Sequence, residues 1–440
     1  MLMNNVGPRV ASASVVCFAL FAGVSVSAQM RPFDGGEFKG RIAYSADGNH
    51  NDPDDWSASP IALAIIAEAG LRDRLVHFDY NSILPLTDPD WERIHAESVL
   101  GAARLYRFDL TRFFDDRSNL DGAIASIVNA INASSADNPL YFIIAGPMEV
   151  PYRAMRLADP EKLKYVFCIS HSRWNDGFAQ DYTFTFTKRA IIEQDIHWVQ
   201  IQDQNRRLSY GQYGSPATAP EFAPYFWMRD SHDPNVKFLW ERMVVSTRPD
   251  PSDAGMAWFL VSGDEECTPE KLQSLLENRR PLSRTSFRDR VRIEAENFRH
   301  LEGFMVQDRQ DRLASHRLEI HLPDADQGRI ITRFNEPFAS DGGRYDVEVR
   351  TLDRKDATSR FALFVNGTPR GSAWSSGGTG KGWTSHVIPN VEVKLGDEIR
   401  VEAEGRGSTI DFVQFNRRAA VATPAAGVIA PHAAVRDDEE

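Results

Sequence analysis

The chain has 440 residues, 42% apolar and 25% charged, with 62 acidic against 50 basic side chains. That length suits two or three domains of ordinary globular composition. A formal net charge of −12 lacks the basic face that a nucleic-acid partner needs, so none is expected.

Residues 1–28 hold an apolar run, ASASVVCFALFAGVSVSA, that ends on small residues. A cut after Ala28 would follow VSA, as a signal peptidase site does. The run is too short for a membrane span. The expectation is a secreted or periplasmic protein with no stable membrane anchor after cleavage; an uncleaved N-terminal anchor is the alternative. Beyond Cys17 in this segment, only Cys168 and Cys267 remain. Cys168 lies in the apolar run YVFCIS and reads as a core thiol. Two distant cysteines make neither a disulfide framework nor a zinc site.

Residues 29–285 alternate strand and helix patterns. RIAYSA, RLVHFDY, LYFIIAG, KYVFCIS and IHWVQIQ are continuous apolar runs suited to strands buried on both faces. WERIHAESVLGAARLY and LDGAIASIVNAI carry apolar residues at helical spacing. Together they predict an α/β domain with an open, mostly parallel sheet. The first strand runs into SADGNHNDPDDW, where Asp47, Asp52, Asp54 and Asp55 crowd a strand-to-helix turn. Ligands of such sheets bind beyond the carboxyl ends of the strands. Asp47, Asn81, Ala145, Gly146, His171 and Asp203 all follow strands and are expected on one rim. A hard cation such as calcium, which takes several oxygen ligands, would gather these carboxylates; a solvated polar turn is the alternative.

From residue 286 to 417 the pattern changes to short alternating strands, among them VRIEAENF, GRYDVEVRTL, EIRVEAEG and STIDFVQF, separated by Gly, Asn and Asp turns. That reads as an all-β sandwich. LLENRRPLSRTSFRDR is the expected joint, and the Ala/Pro-rich, then acidic residues 418–440 are expected to be disordered.

The ordered motifs of the first domain resemble the inosine–uridine nucleoside hydrolase superfamily. Asp54-Asp55 resemble the paired aspartates of its DPGxDD-type motif and Asp47 the leading one. Asn81 matches the asparagine closing the second strand, AGPMEV (Ala145–Val150) the TGPLTN-type turn, and Asp253 in SDAGMAWFLV the aspartate opening a late helix. The resemblance implies a calcium ion held by Asp47, Asp55, Asp253 and the main-chain carbonyl of Ala145. Asp54 and Asn81 would grip sugar hydroxyls, and Trp174, Asn175 and Asp176 would add sugar contacts. Asp47, the candidate base, and Asp54 are the catalytic candidates. The departures are a longer GNHNDP loop, which leaves Asp52 as an alternative leading ligand, and Ser252 where the family has a leaving-group histidine. His50, His171 and His232 are the remaining candidate proton donors.

VRIEAENF and STIDFVQF resemble a calcium-bearing jelly-roll family of carbohydrate-binding modules. By that resemblance Glu294, Glu296 and Asp411 would hold a structural calcium. Trp374 and Trp383, in SAWSSGGTGKGW, are candidate sugar platforms, since an exposed indole face suits a pyranose; core packing is the alternative, and Asn416 is a further candidate. The expectation is therefore an exported, calcium-dependent glycoside hydrolase-like protein acting on a carbohydrate, in all expectation a polymer. A nucleoside N-ribohydrolase and a non-catalytic carbohydrate binder are the alternatives.

Overall fold

The computed structural model describes residues 33–34, 37–50, 53–172, 175–176, 188–212, 214–282, 289–308, 314–315, 318–338, 342–355 and 357–418. The expected leader, Asp52, Trp174 and residues 419–440 of the expected tail lie outside them.

Six strands form one parallel sheet: Arg41–Ala46 (β1), Leu75–Tyr80 (β2), Phe113–Asp115 (β3), Leu140–Ala145 (β4), Val166–Ser170 (β5) and His197–Gln200 (β6). Their order is β3-β2-β1-β4-β5-β6. The chain steps outward from β1 to β3, then returns to lay β4 on the other side of β1. The switch point therefore lies between the carboxyl ends of β1 and β4, where Ala46 pairs with Ala145.

Helices cover both faces. On one lie Asp55–Glu68 (α1) and Pro89–Leu105 (α2); on the other lie Asp116–Asn132 (α3) and Glu149–Leu157 (α4). Lys188–Ile192 (α5), Pro234–Val245 (α6), Ala254–Ser262 (α7) and Pro269–Leu276 (α8) follow. Helix α1 is buried from Asp55 to Ile66 and packs against α2, α6, α7 and α8. A helix so enclosed has no polar stripe, which is why SASPIALAII reads as apolar all round. No described helix is long and apolar enough to cross a membrane.

The C-terminal region is a two-sheet sandwich of eleven strands. They are Arg290–Glu294 (β7), His300–Glu302 (β8), Met305–Asp308 (β9), Leu318–His321 (β10), Gln327–Arg333 (β11), Gly343–Asp353 (β12), Thr358–Val365 (β13), Thr368–Gly377 (β14), Gly382–Val393 (β15), Glu398–Glu404 (β16) and Thr409–Arg417 (β17). One sheet runs β8-β11-β16-β13-β14 and the other β9-β10-β17-β12-β15, with β7 also on β17. All pairings are antiparallel. Burial alternates residue by residue along β12, and Phe334, Tyr345 and Phe415 pack together in the core.

The sandwich docks along β6, an edge of the parallel sheet. The Asn335 amide donates to the main-chain oxygen of Trp198, and Asn297 reaches the side chain of Gln200. Arg189 on α5 donates to the carbonyls of Glu296 at 3.0 Å, Phe298 at 2.6 Å and Arg299. Arg299 pairs with Asp195, and Phe338 sets its ring edge-on to Phe259 of α7 at 5.2 Å.

Candidate functional site

At the switch point the main chain leaves β1 and folds back onto the start of α1. The Asp47 N–H donates to Asp55 Oδ2 at 3.0 Å, and the Gly48 N–H to Asp47 Oδ1 at 2.8 Å. Trp56 Nε1 donates to the Gly48 oxygen at 2.7 Å. Gly48 has φ +67°, and a Cβ there would lie 2.5 Å from the His95 ring; only glycine fits. Asp54 caps α1 by accepting from the Asp55 N–H, where the helix N-terminus favours a carboxylate. Gly146, after β4, lies so near Asp47 that a Cβ would meet its main-chain nitrogen at 3.1 Å.

Asp47 and Asp55 are both fully buried. Asp47 Oδ2 and Asp55 Oδ1 have no hydrogen-bond partner, and neither has the nearby Ser82 hydroxyl. Burial pushes the Asp47 carboxyl up to about 7, with Asp54 and Asp253 adding to the rise and the contact with Asp55 opposing it. Burial, then Asp47, Asp253 and Asp54, push Asp55 well above the usual carboxylate range. Two facing carboxylates with orphaned oxygens, and no basic side chain among the causes acting on them, fit a hard cation.

Asp253, at the start of α7, lies in the same electrostatic field but is already engaged. Its Oδ1 accepts from His171 Nε2 at 2.6 Å. His171 Nδ1 faces Asp203 Oδ1 at 3.7 Å. Burial works against a charge on His171, but Asp203 and Asp253 outweigh it and push the ring up to about 10. Among the described residues, no three His, Cys, Asp or Glu side chains are arranged to hold a metal ion. The structure thus brings Asp47 and Asp55 together beside Ala145 and turns Asp253 onto a histidine. His171 serves as the partner of Asp253. His232 is exposed and Ser252 buried.

Three expected sugar contacts lie within the protein's own packing. Asn81 is fully buried at φ +66°. Its amide donates to Asp115 at 3.0 Å and to the Glu92 carbonyl at 3.3 Å, while its oxygen meets His95 Nδ1 at 3.1 Å. Its side chain is a strut with no free polar atom for a hydroxyl. Asp176 accepts from Ser170 at 2.7 Å and pairs with Lys188 at 3.3 Å, and Asn175 is buried beside it. Trp174 lies outside the described residues. His95, Trp56 and Ser82, which hold or flank the aspartate turn, carry no local motif and escape sequence reading.

In the sandwich, Glu294 and Asp411 meet through the Ser315 hydroxyl, at 2.5 and 2.6 Å. Glu296 is buried with both carboxylate oxygens unpartnered. Burial pushes it up to about 8; Lys188 opposes the rise, and Glu294 and Asp411 add to it. Those orphaned oxygens fit a cation, but Arg350 already neutralises Asp411 at 2.6 Å. Trp374 is corrected as a platform: it is 8% exposed, stacked on His386 at 4.4 Å and alongside Phe361. Trp383 is half-buried with the Arg350 guanidinium over its ring at 5.3 Å. Asn416 accepts from Gln414. Across the other sheet runs a groove of about 540 Å³, lined by Glu302, Gln327, Arg329, Arg360, Glu402 and Glu404.

No protein-family model matches this chain. The uncharacterised protein P22 of Formosa agariphila is 30% identical over 243 residues, covering 51% of this chain and 84% of that protein. Among solved structures, a family 35 carbohydrate-binding module from Clostridium thermocellum is similar over 30% of this chain and 100% of its own, at 16% identity and a TM-score of 0.25. The C-terminal CBM6 of the Zobellia galactanivorans laminarinase LamC is similar over 29% of this chain and 99% of its own, at 18% identity and a TM-score of 0.23. A GH26-CBM35 β-(1,4)-mannanase of Podospora anserina is similar over 30% of this chain but only 29% of its own, at 20% identity and a TM-score of 0.25.

Proposed function

This chain belongs to one family with protein P22 of Formosa agariphila, and from its acidic centre we propose that it is an exported hydrolase of glycosidic bonds in a glycan. The observation that carries the reading is the buried Asp47–Asp55 pair at the sheet's switch point, each with an unpartnered oxygen. Asp47, Asp55 and the main-chain carbonyl of Ala145 would hold a calcium ion there, and that ion would supply the charge that acidifies a water. Asp47 would take the proton of the attacking water as general base. Asp54, half-buried at the start of α1, would meet a sugar hydroxyl. Asp253 lies in the electrostatic field of the pair and is held by His171.

The sandwich supports a carbohydrate partner through its polar groove. Its Glu and Arg side chains offer hydrogen bonds to a hydroxyl-rich chain, and Phe361, Ala362 and Ala373 offer apolar surface beside them. Holding a polymer there would raise its local concentration at the acidic centre. A second reading, a carbohydrate binder without catalysis, is favoured by one observation: Asp253 and Asn81, expected to face ion and sugar, are both engaged by protein. A reducing-end assay over a glycan panel, with and without chelator, tests the first reading. Turnover that disappears with Asp55→Ala while polymer binding persists supports it. Polymer binding with no turnover in the wild-type chain leaves the binder.

A further inference from the structure

A second line of hydrogen bonds runs from the sheet to the surface of α3, apart from the acidic turn. His77 and Asp79 lie two residues apart on β2, both fully buried. Asp79 Oδ2 accepts from His77 Nε2 at 2.8 Å. Asp79 Oδ1 accepts from the Ser45 hydroxyl at 2.6 Å. With the ring proton fixed on Nε2, Nδ1 is left as a lone-pair site, and the Ser126 hydroxyl lies 3.0 Å from it. Asp116 is 2% exposed beside Asp79, and burial, then the charge of Asp79, push its carboxyl well above the usual carboxylate range.

Structural histidines are commonly satisfied this way, but here the line does not end in a sealed core. Ser126 borders an open groove of about 460 Å³, shared with Arg41, Val76, Phe114, Ala125 and Asn129. Hydroxyl, imidazole and buried carboxylate in hydrogen-bond sequence, with the hydroxyl facing a cavity, meet the geometric requirement for an activated nucleophile.

We propose that Ser126, His77 and Asp79 form a second hydrolytic site, acting on esters of short acyl groups. The Ser126 proton passes to His77 Nδ1 as Oγ bonds to the ester carbonyl carbon. His77 then gives that proton to the departing alcohol oxygen as the carbon–oxygen bond breaks, leaving an acyl-serine. Water, deprotonated through the same nitrogen, attacks the acyl carbon and releases the carboxylic acid and free Ser126. Asp79 accepts from His77 Nε2 and so fixes the tautomer. Because Ser126 lies in the interior of α3, its main-chain N–H is bonded within the helix and offers no oxyanion contact. That charge would fall to the Asn129 amide, one turn on along α3 and in the same groove; the Arg41 guanidinium, also in the groove, is held by the Ser134 hydroxyl at 2.8 Å. The apolar walls, Val76, Phe114 and Ala125, suit a small acyl chain, and the open mouth a larger alcohol.

The test needs neither a glycan nor a metal, so its outcome is independent of the glycosidase reading. The full chain is incubated with a fluorophosphonate probe and analysed by intact and peptide mass spectrometry. One adduct per chain, on Ser126, is expected, with or without chelator. It should vanish in Ser126→Ala and form about 100-fold more slowly in His77→Gln; hydrolysis of p-nitrophenyl acetate should follow the same order. An unlabelled Ser126 in the folded wild-type chain overturns the proposal, whatever the variants do. So does labelling at the wild-type rate in a His77→Gln chain whose circular dichroism and melting match the wild type.

Discussion

Asp47 is where burial, charge and protonation meet. Its folded pKa of about 7 lies above the ordinary 3.8. Between those values the folded chain holds a proton that the unfolded chain has lost. Cation-free stability therefore falls as pH rises from about 4 to about 7. A cation competes for the same oxygens and binds best once the proton has gone. Calcium should thus raise the melting temperature more at pH 8 than at pH 5. Asp47→Asn should reduce that difference, leaving the part that the Glu296 carboxyl, itself raised to about 8, contributes. Scanning fluorimetry with calcium and with chelator reads it; equal shifts at both pH values in the wild type would sink the cation reading of Asp47.

His171 poses the companion question. Its 2.6 Å bond to Asp253 is buried on both sides. Removing one member leaves a buried charge without its partner, at a cost of about 3–5 kcal/mol. His171→Ala should therefore destabilise strongly, and His171→Ala with Asp253→Asn should recover much of the loss. Denaturant melts of the single and double variants give the coupling. Additive costs would mean that the pair is not what holds Asp253 in place.

At the scale of elements, the aspartate turn depends on glycine as much as on aspartate. Gly48→Ala asks an L-residue to hold φ +67° with its Cβ 2.5 Å from the His95 ring. Left-handed strain alone is about 1–2 kcal/mol, and displacing His95 removes the partner of Asn81. A loss of at least about 2 kcal/mol in a urea melt is expected; a neutral substitution would show that the turn can relax around the aspartates.

This element also marks how far the sequence could be read. The apolar runs ending in Asp47, Asn81, Ala145 and His171 are strands of one sheet, and the aspartates do lie at its switch point, because buried parallel strands leave a continuous apolar trace. Phe113–Asp115 escaped because three residues carry no period. His171 on Asp253 and His95 on Asn81 join side chains 82 and 14 positions apart, a matter of fold and not of spacing. Trp374 illustrates a parity problem: its strand pairs with β13 across a register shift between Phe361 and Leu363. A bulge flips which alternate residues face inward, so counting by twos cannot say whether that indole is platform or core.

Over the whole molecule, the two regions meet where the sandwich covers an edge that would otherwise be open. β6 ends the parallel sheet, and its flank meets Asn297 and Asn335. An uncovered edge strand invites pairing with other chains. Arg189 is the central fastener, donating to the sandwich carbonyls of Glu296, Phe298 and Arg299, and charged hydrogen bonds of this kind contribute about 1.5–3 kcal/mol each where they are buried. The wild-type chain should therefore melt in one calorimetric transition. Arg189→Ala should lower it and separate it into two as the sandwich comes loose. A chain ending at residue 282 should expose β6 together with the face of Phe259 that Phe338 covers, and should aggregate on size-exclusion chromatography. A truncated chain that stays monomeric at the wild-type melting temperature would show that the sandwich is a tethered module. Its groove would then serve the acidic centre only through proximity along the chain, without a fixed geometry between them.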